Sequence, residues 1–285
     1  MTTVGRVKEI WRYPVKSMAG EKLTSTRVGP LGIAGDRVWA MHDDAEILSA
    51  RHYPKFLMCA ARYLEQPREG HISPAQVDFP DGSQVMSDDA SISARLTALI
   101  GKPMSLKPLQ PPEDLDYYRR RPRNEEEMTA YLSQQFGREP GEPMPDMTQF
   151  PQELMEFAAF PGMHFDVTPL QVLTTASLAH MAGANPGADW DVRRFRPNVL
   201  IETTNGARGL VEAEWAGKTL RIGELTVHCP APTPRCAMTM QAQRDFPFDK
   251  TILRTIVREG KQNLGAYATA GNAGKISVGD AVELI

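Results

Sequence analysis

Hydrophobic and polar residues alternate over short stretches along most of this 285-residue chain. Such runs extend from Val4 to Val15, from Leu23 to Val28 and from Thr219 to Ile222, and a further strand is predicted over 56–64. Short strands separated by frequent glycine and proline turns are typical of closed antiparallel barrels. The sequence therefore predicts a mainly β protein, built as β-barrels with a few helices.

Four segments are predicted to be helical instead. The segment 125–136 follows Asn124, a favourable N-cap, and places Met128, Tyr131 and Leu132 on one face. The other three predicted helices are 90–100, 176–181 and 249–259.

The length of the chain predicts two domains. We place an N-terminal β-barrel module at 1–107 and a second β-barrel domain at 166–285. Between them, 108–165 is proline-rich and densely charged, which predicts a linker or insertion with one helix. The basic run Arg119–Arg123 in this segment is predicted to be a solvated face, countered by Glu125–Glu127.

Composition narrows the function classes. The net charge is −3 and the pI is about 6.1, which argues against nucleic acid or an anionic membrane as the main partner. The chain has no run of 18 apolar residues and no apolar signal segment, so no membrane span is expected. Three cysteines do not make a disulfide framework, and a reduced, cytoplasmic protein is expected.

Common nucleotide and hydrolase motifs are absent from the sequence. There is no GxGxxG after a strand, no GxxxxGK[ST], no HExxH and no GxSxG. Dinucleotide, nucleoside-triphosphate, zincin and α/β-hydrolase functions therefore have no motif in their support.

Cys236 is the first candidate functional residue. It directly follows Arg235, and prolines at 230, 232 and 234 precede it. Proline fixes φ and removes an N–H, so this segment is expected to be a stiff, extended loop that holds one side chain in place. The neighbouring guanidinium favours the thiolate, which is the form that binds metal or attacks an electrophile.

Three other interpretations of Cys236 stay open on this loop alone. The residue is also compatible with a buried small hydrophobe, because free cysteine is often buried. It is compatible with a disulfide to Cys229. A zinc site with His228 and Cys229 is a third alternative, although no CxxC or HxxxH spacing supports it.

Several cations and neutral polar residues recur at predicted strand ends and turns. The cations are Lys16, Arg37, Arg194, Arg196 and Arg235, and the neutral groups are Ser17, Thr174, Ser177 and Asn198. If the cations converge in a protein of net charge −3, they require an anion, and phosphate suits arginine. The alternative is that each arginine pairs with a different surface carboxylate, and spacing does not decide between the two.

In this order and at these separations, the motifs resemble MOSC-domain proteins that carry an N-terminal MOSC β-barrel module. This group includes the mitochondrial amidoxime reducing component and its bacterial relatives. The N-terminal module is similar at Tyr13-Pro14-Val15-Lys16-Ser17 and Gly35-Asp36-Arg37. The MOSC domain is similar at 194–198 (RFRPN), at Arg235-Cys236 and at Gly279-Asp280.

The resemblance implies a molybdenum cofactor (Mo-molybdopterin) between the two modules, with Cys236 as the catalytic residue and the thiolate ligand to the metal. It implies that Lys16, Ser17 and Arg37 hold the phosphate and pterin from the N-terminal side. From the MOSC side, the implied cofactor-binding residues are Thr174, Ser177, Arg194, Arg196, Asn198 and Arg235.

The activity that the resemblance implies is oxygen-atom transfer from a small N-hydroxylated substrate, with the cofactor carrying the redox chemistry. Electrons would come from a separate reductase or ferredoxin-like protein. Two alternatives stay open: a cofactor-binding or sulfur-carrier module, as in the C-terminal part of molybdenum cofactor sulfurases, and a non-catalytic β-barrel binding protein.

The sequence departs from the reducing-component pattern after the cysteine. Those proteins commonly read TTVDP there, whereas this chain has Ala237-Met238-Thr239-Met240-Gln241. The departure leaves the substrate class open. Because long stretches with little regular structure are often functional, we also hypothesise that 108–165, with Tyr117, Tyr118 and its arginines, forms a lid over the substrate entrance.

Overall fold

A computed structural model describes residues 1–68, 70–142, 144–145, 152–204 and 206–285. Positions 143 and 146–151 of the predicted insertion lie outside the described residues. The strands are β1 (Thr2–Arg12), β2 (Glu21–Leu23), β3 (Ser25–Gly29), β4 (Gly32–Ile33), β5 (Trp39–His42), β6 (Ala60–Arg62), β7 (Gln76–Asp78), β8 (Gln84–Met86), β9 (Ser105–Pro108), β10 (Leu170–Thr174), β11 (Val199–Thr203), β12 (Lys218–Ile222), β13 (Leu225–Cys229), β14 (Pro232–Pro234), β15 (Asn263–Ala270), β16 (Gly274–Ser277) and β17 (Ala281–Leu284).

Helices are fewer and mostly short. The α-helices are α1 (Ile92–Ile100), α2 (Leu115–Tyr118), α3 (Glu125–Phe136), α4 (Glu153–Glu156), α5 (Thr175–Ala184) and α6 (Lys250–Gly260). Single 3₁₀ turns lie at Pro54–Met58, Val192–Arg194, Val211–Trp215 and Ala237–Met240.

The central feature is a closed seven-stranded barrel. Its strands follow one another around the ring in the order β10, β11, β1, β17, β12, β13 and β15, and β15 closes the ring on β10. The β10–β11 pair is parallel and the other pairs are antiparallel. Inward-facing residues such as Val7, Ile201 and Leu220 fill the core. The predicted mainly β fold with a β-barrel and a few helices is confirmed.

The first strand of the chain belongs to this barrel. β1 pairs with β11 on one side and with β17, the last strand, on the other. Residues from both predicted modules therefore build one barrel, although the domain boundaries themselves remain a prediction.

A second hydrophobic core lies under the short sheets β5–β9 and β6–β7–β8. It contains Met18, Trp39 and Leu96, the last from α1. The strand predicted over 56–64 is wrong in its first half, where residues 54–58 form a 3₁₀ turn. Phe56 and Leu57 are both buried, and a strand would place two successive side chains on opposite faces.

Helix α3 has the predicted bounds and the predicted cap. The Asn124 side chain accepts a hydrogen bond from the Glu127 amide at 2.9 Å, and the Glu127 carboxylate accepts one from the Asn124 amide at 2.9 Å. These two bonds form a capping box, which satisfies amides that the helix itself leaves unpaired.

The basic run before α3 was predicted to be countered by Glu125–Glu127, but two of its arginines form ion pairs with other carboxylates. Arg121 pairs with Asp43 at 2.7 Å, and Arg123 pairs with Glu46. The Arg123 and Glu46 side chains are only 11% and 9% exposed, so this pair is shielded from solvent. The run therefore ties the insertion to the N-terminal part of the chain.

The barrel wall allows a paired test at two glycines. In Gly5→Ala, the new methyl would lie 2.4 Å from the Glu202 carbonyl oxygen, a backbone atom that cannot move aside cheaply. We expect a loss of about 1–3 kcal/mol in the free energy of unfolding. Gly183→Ala, in α5 with open space around it, should instead stabilise by about 0.4–1 kcal/mol. Urea denaturation measures both, and equal effects of the two substitutions would contradict the packing described.

Candidate functional site

A cavity of about 450 Å³ opens where β10, the residues before β11 and the loop after β14 meet the N-terminal segments. Most of the predicted site residues line it together. They are Lys16, Ser17, Arg37, Arg194, Arg196, Asn198, Arg235 and Cys236.

The backbone holds Cys236 in place from both sides. Before it, β14 pairs with β15, and the Arg235 amide donates to the Gln262 carbonyl at 2.8 Å. The Gln262 side chain returns a bond to the Arg235 carbonyl at 2.7 Å. After it, the amide and the hydroxyl of Thr239 both donate to the Cys236 carbonyl, at 3.2 and 3.1 Å. The half-buried thiol therefore has a fixed position in the cavity wall.

Two of the other interpretations of Cys236, the disulfide and the zinc site, find no support in the described residues. All three cysteines are free thiols, so the disulfide with Cys229 is not formed. Among the residues that the structure describes, no three His, Cys, Asp or Glu side chains are grouped for a metal ion, which removes the zinc alternative there. Cys59 and Cys229 lie in the cores, and burial raises the pKa of each thiol to about 12.

Three buried arginines of the site donate to backbone carbonyls. Arg194 donates to the carbonyls of residues 241 and 247 at 3.2 and 3.0 Å, and Arg235 to those of residues 264 and 195 at 2.6 and 2.9 Å. Arg196 donates to the Met18 carbonyl and stacks on Tyr13. Within the described ranges none of the three forms an ion pair, so the surface-carboxylate alternative is wrong for them.

The charge on these arginines is therefore incompletely balanced. Burial, with a contribution from the neighbouring Arg37, lowers the pKa of Arg196 to about 10. Burial also lowers the pKa of Arg235 to about 10. Nη2 of Arg196 and Nε of Arg194 are buried and have no hydrogen-bond partner among the described residues. Buried donors are normally satisfied, so these two atoms are available to donate to a bound group.

Asp36 joins the N-terminal segment to the RFRPN segment. One of its carboxylate oxygens accepts from the Tyr13 amide at 2.6 Å. The other accepts from Arg37 at 2.5 Å and from the side chain of Asn198 at 2.9 Å. The side-chain amide of Asn198 also donates to the Trp11 carbonyl. Asn198 therefore both positions the site and lines it.

Three site residues adopt the left-handed backbone conformation that non-glycine residues usually avoid. Their φ angles are 71° for Ser17, 51° for Arg37 and 52° for Arg196. Such residues cost of order 1–3 kcal/mol each and persist where the surrounding structure enforces them. The hydroxyl of Ser17 accepts from the Ala50 amide at 2.9 Å, which fixes this turn.

Two charged residues of the cavity were missed from sequence. Asp166 accepts from Lys16 at 2.7 Å and also pairs with Arg51. Burial acts to raise the pKa of Asp166, but Arg51 and Lys16 outweigh it and hold the pKa well below its usual range. Burial lowers the pKa of Lys16. No motif marks Arg51 or Asp166, since each is a single charge in an ordinary segment.

Thr174 and Ser177, which were predicted to bind the cofactor, are not among the residues that line the cavity. Their hydroxyls donate to the carboxylate of Glu212 at 2.7 and 2.5 Å, and all three residues are buried. Glu212 also accepts from the Gly265 amide at 3.1 Å. Both hydroxyls bond to this buried carboxylate, which thereby connects β10, α5 and β15.

The fold and site define a β-barrel protein with a cationic cavity and a thiol in its wall. Two family models match the chain: the MOSC N-terminal beta barrel domain matches residues 4–93, and the MOSC domain matches residues 162–283. The chain therefore belongs to the MOSC-domain proteins with an N-terminal MOSC β-barrel domain, a family associated with the molybdenum cofactor.

A curated relative is the molybdenum cofactor sulfurase of Drosophila grimshawi, which is 24% identical over 261 residues. The match covers 90% of this chain but only 31% of the sulfurase, so the chain spans about a third of that relative's length. Among the residues described here, no helix is long and apolar enough to cross a bilayer.

Solved structures with detectable similarity include the YuaD protein from Bacillus subtilis, with 9% identity, a TM-score of 0.46, and coverage of 100% of this chain and 97% of that one. Another is YiiM from Escherichia coli, with 19% identity, a TM-score of 0.32, and coverage of 41% and 54%.

The unbalanced arginines lead to a test that needs only inorganic phosphate. Phosphate at about 100 times its Kd should stabilise the parent protein by about 2.7 kcal/mol. Arg196→Met should lose most of that gain. Without phosphate it should unfold within about 1 kcal/mol of the parent, because removing an incompletely paired buried charge costs little.

The matched control is Arg193→Met. Arg193 is half-buried, lies outside the cavity lining and already pairs with Asp191 and Asp245, so its loss should leave the phosphate effect intact. Thermal unfolding with and without phosphate measures all three proteins. An unchanged phosphate effect in Arg196→Met would show that this guanidinium does not face an anion.

Proposed function

We propose that this protein binds the molybdenum cofactor in the cationic cavity and reduces small N-hydroxylated substrates by oxygen-atom transfer. One observation carries the proposal: a thiol, Cys236, lies in the wall of a cavity that is also lined by Arg194, Arg196 and Arg235, three buried arginines that form no ion pair with a described carboxylate. A phosphate-bearing cofactor with a thiolate-binding metal matches both features.

The residues divide between anchoring and ligation. Arg194, Arg196 and Arg235 supply the cationic side for the phosphate and pterin, and the unpartnered atoms of Arg194 and Arg196 are available to them. Cys236 supplies the thiolate ligand. When bound, the cofactor supplies two-electron oxygen-atom transfer.

The remaining residues keep this arrangement in place and handle protons. Asp36 holds Arg37 and Asn198 on the cavity wall. The ammonium of Lys16 donates to Asp166 and to the His164 carbonyl, both at 2.7 Å. Because burial lowers the pKa of Lys16, Nζ is suited to release a proton into the cavity as the N–O bond is broken.

Electrons are proposed to come from a separate reductase or ferredoxin-like protein in the cytoplasm. An all-cysteine iron–sulfur cluster takes four thiolates. This chain has three cysteines, of which two are buried in the cores and one lies in the site.

A second candidate function is a cofactor-binding or sulfur-carrier module without reductase turnover. The observation that favours it is the similarity to a molybdenum cofactor sulfurase. In that function the half-buried thiol of Cys236 would attack the outer sulfur of a persulfide on a partner protein. The partner's thiol would leave, and Cys236 would carry the transferred sulfur as a persulfide. A carrier acts stoichiometrically and a reductase acts repeatedly, so turnover separates the two.

The test compares Cys236→Ala with Cys229→Ala, a thiol that is buried outside the cavity. Protein from a cofactor-replete host should contain near-stoichiometric molybdenum by mass spectrometry, together with pterin fluorescence after oxidation. We expect Cys236→Ala to lose the metal and amidoxime turnover, and Cys229→Ala to keep both.

The outcomes separate the alternatives. The protein would be a sulfur carrier and not a reductase if it contains metal and pterin, transfers sulfur once per chain and does not turn over amidoximes repeatedly. Absence of both metal and pterin from the parent protein would leave a β-barrel binding protein.

A further inference from the structure

The cavity has an apolar wall that the proposed cofactor contacts do not use. It comes from the predicted insertion, and we call it the insertion wall: Met128, Leu132, Phe136, Leu154, Met155 and Ala158. We infer that this wall is a subsite for the apolar body of the substrate, so that the protein prefers amidoximes with a long alkyl or aromatic group. The inference rests on the proposed function, whose substrates are N-hydroxylated compounds.

The insertion wall and the cationic side differ in both depth and chemistry. Arg194 and Arg196 are 1% and 8% exposed, and within the wall the exposure runs from 3% at Phe136 to 48% at Met155. The cations therefore lie deep, and the wall extends from the interior to solvent at Met155. A molecule that enters with its N-hydroxyl group leading would leave its hydrocarbon part against the insertion wall.

The insertion adds little charge to the cavity. Its lining residues include no carboxylate among those described, and its one lining cation, Arg120, is already engaged. Arg120 donates to the Leu154 carbonyl at 2.7 Å and to the Tyr131 hydroxyl at 3.1 Å. These bonds join residue 154 to α3. Apart from Arg120, the polar residues that the insertion gives to the lining are Gln135 and Gln152, and the rest of its described lining surface is apolar.

The wall is held at a fixed place relative to the thiol. Gly137, at the end of α3, packs so closely that an added Cβ would lie 2.8 Å from Leu253 and 3.5 Å from Ala237, the residue after Cys236. The Gly137 carbonyl also accepts from Arg254 at 2.6 Å. The start of α3 is fixed by its capping box and by the Arg123–Glu46 pair.

Tyr117 and Tyr118 are not part of this wall, although they belong to the lid hypothesis. Both are buried, and the Tyr117 hydroxyl lies 3.0 Å from Nε2 of His164. The two tyrosines form part of the buried core of the insertion. Met128 and Met155 give the wall adaptable side chains, which suits alkyl and aromatic groups of varied shape.

A homologous series of alkyl amidoximes, from acetamidoxime to octanamidoxime, tests the inference without relying on a variant that must fold. Each buried methylene contributes about 0.8 kcal/mol, or about fourfold in affinity. We expect Kd, measured by calorimetry on the cofactor-loaded protein, to fall about three- to fourfold per methylene until the wall is covered. The specificity constant kcat/KM should rise in parallel.

Two variants locate the effect. Leu132→Gln combined with Met155→Gln should reduce the dependence to less than about twofold per methylene. Ala130→Gln introduces the same side chain at an exposed position of α3 outside the cavity lining. It should leave the dependence of Kd on chain length unchanged.

The binding measurement tests the subsite, and the turnover measurement separately tests the proposed reductase activity. A Kd that does not change with chain length in the parent, or an equal dependence in the double variant, would overturn the subsite. Chain-length-dependent binding without turnover of any member would leave the subsite standing and overturn the reductase.

Discussion

Arg194, Arg196 and Arg235 lie buried beside one cavity and are held by backbone carbonyls. Taking a charge out of water is costly unless it is paired, and carbonyl oxygens compensate only in part. The barrel thus holds three guanidinium groups at a place where none of them forms a direct ion pair with a carboxylate of the described residues. Much of the local structure, including the left-handed residues and the buried Asp36, serves to keep them there.

The Cys236 thiol is held beside these arginines by backbone contacts. Prolines restrict the approach to Cys236, strand β14 pairs with β15, and reciprocal bonds with Gln262 fix the backbone of Arg235. Neither feature alone would define the site, since buried arginines occur in many cores and half-buried cysteines in many loops. Their meeting in one cavity is what suits a cofactor that carries both a phosphate and a thiolate-binding metal.

Local sequence signals predicted much of the structure. The cap and bounds of α3 and the alternating strands follow from short-range patterns. The convergence of the motif residues on one cavity was implied by the family resemblance and not by their spacing. The failures involve distant partners. The bonds of Thr174 and Ser177 to Glu212 join residues more than 30 positions apart, and the basic run pairs with Asp43 and Glu46 instead of the carboxylates nearest to it in sequence. The entry of β1 into the barrel depends on pairing with the last strand, which no local pattern encodes.

The most direct test of the account is X-ray absorption at the molybdenum edge, on cofactor-loaded parent protein and on Cys236→Ala reconstituted with the same cofactor. The dithiolene supplies two sulfur neighbours, and the account predicts a third from Cys236 in the parent protein that is missing in the variant. The same number of sulfur neighbours in both proteins would contradict the assignment of this thiolate as the metal ligand.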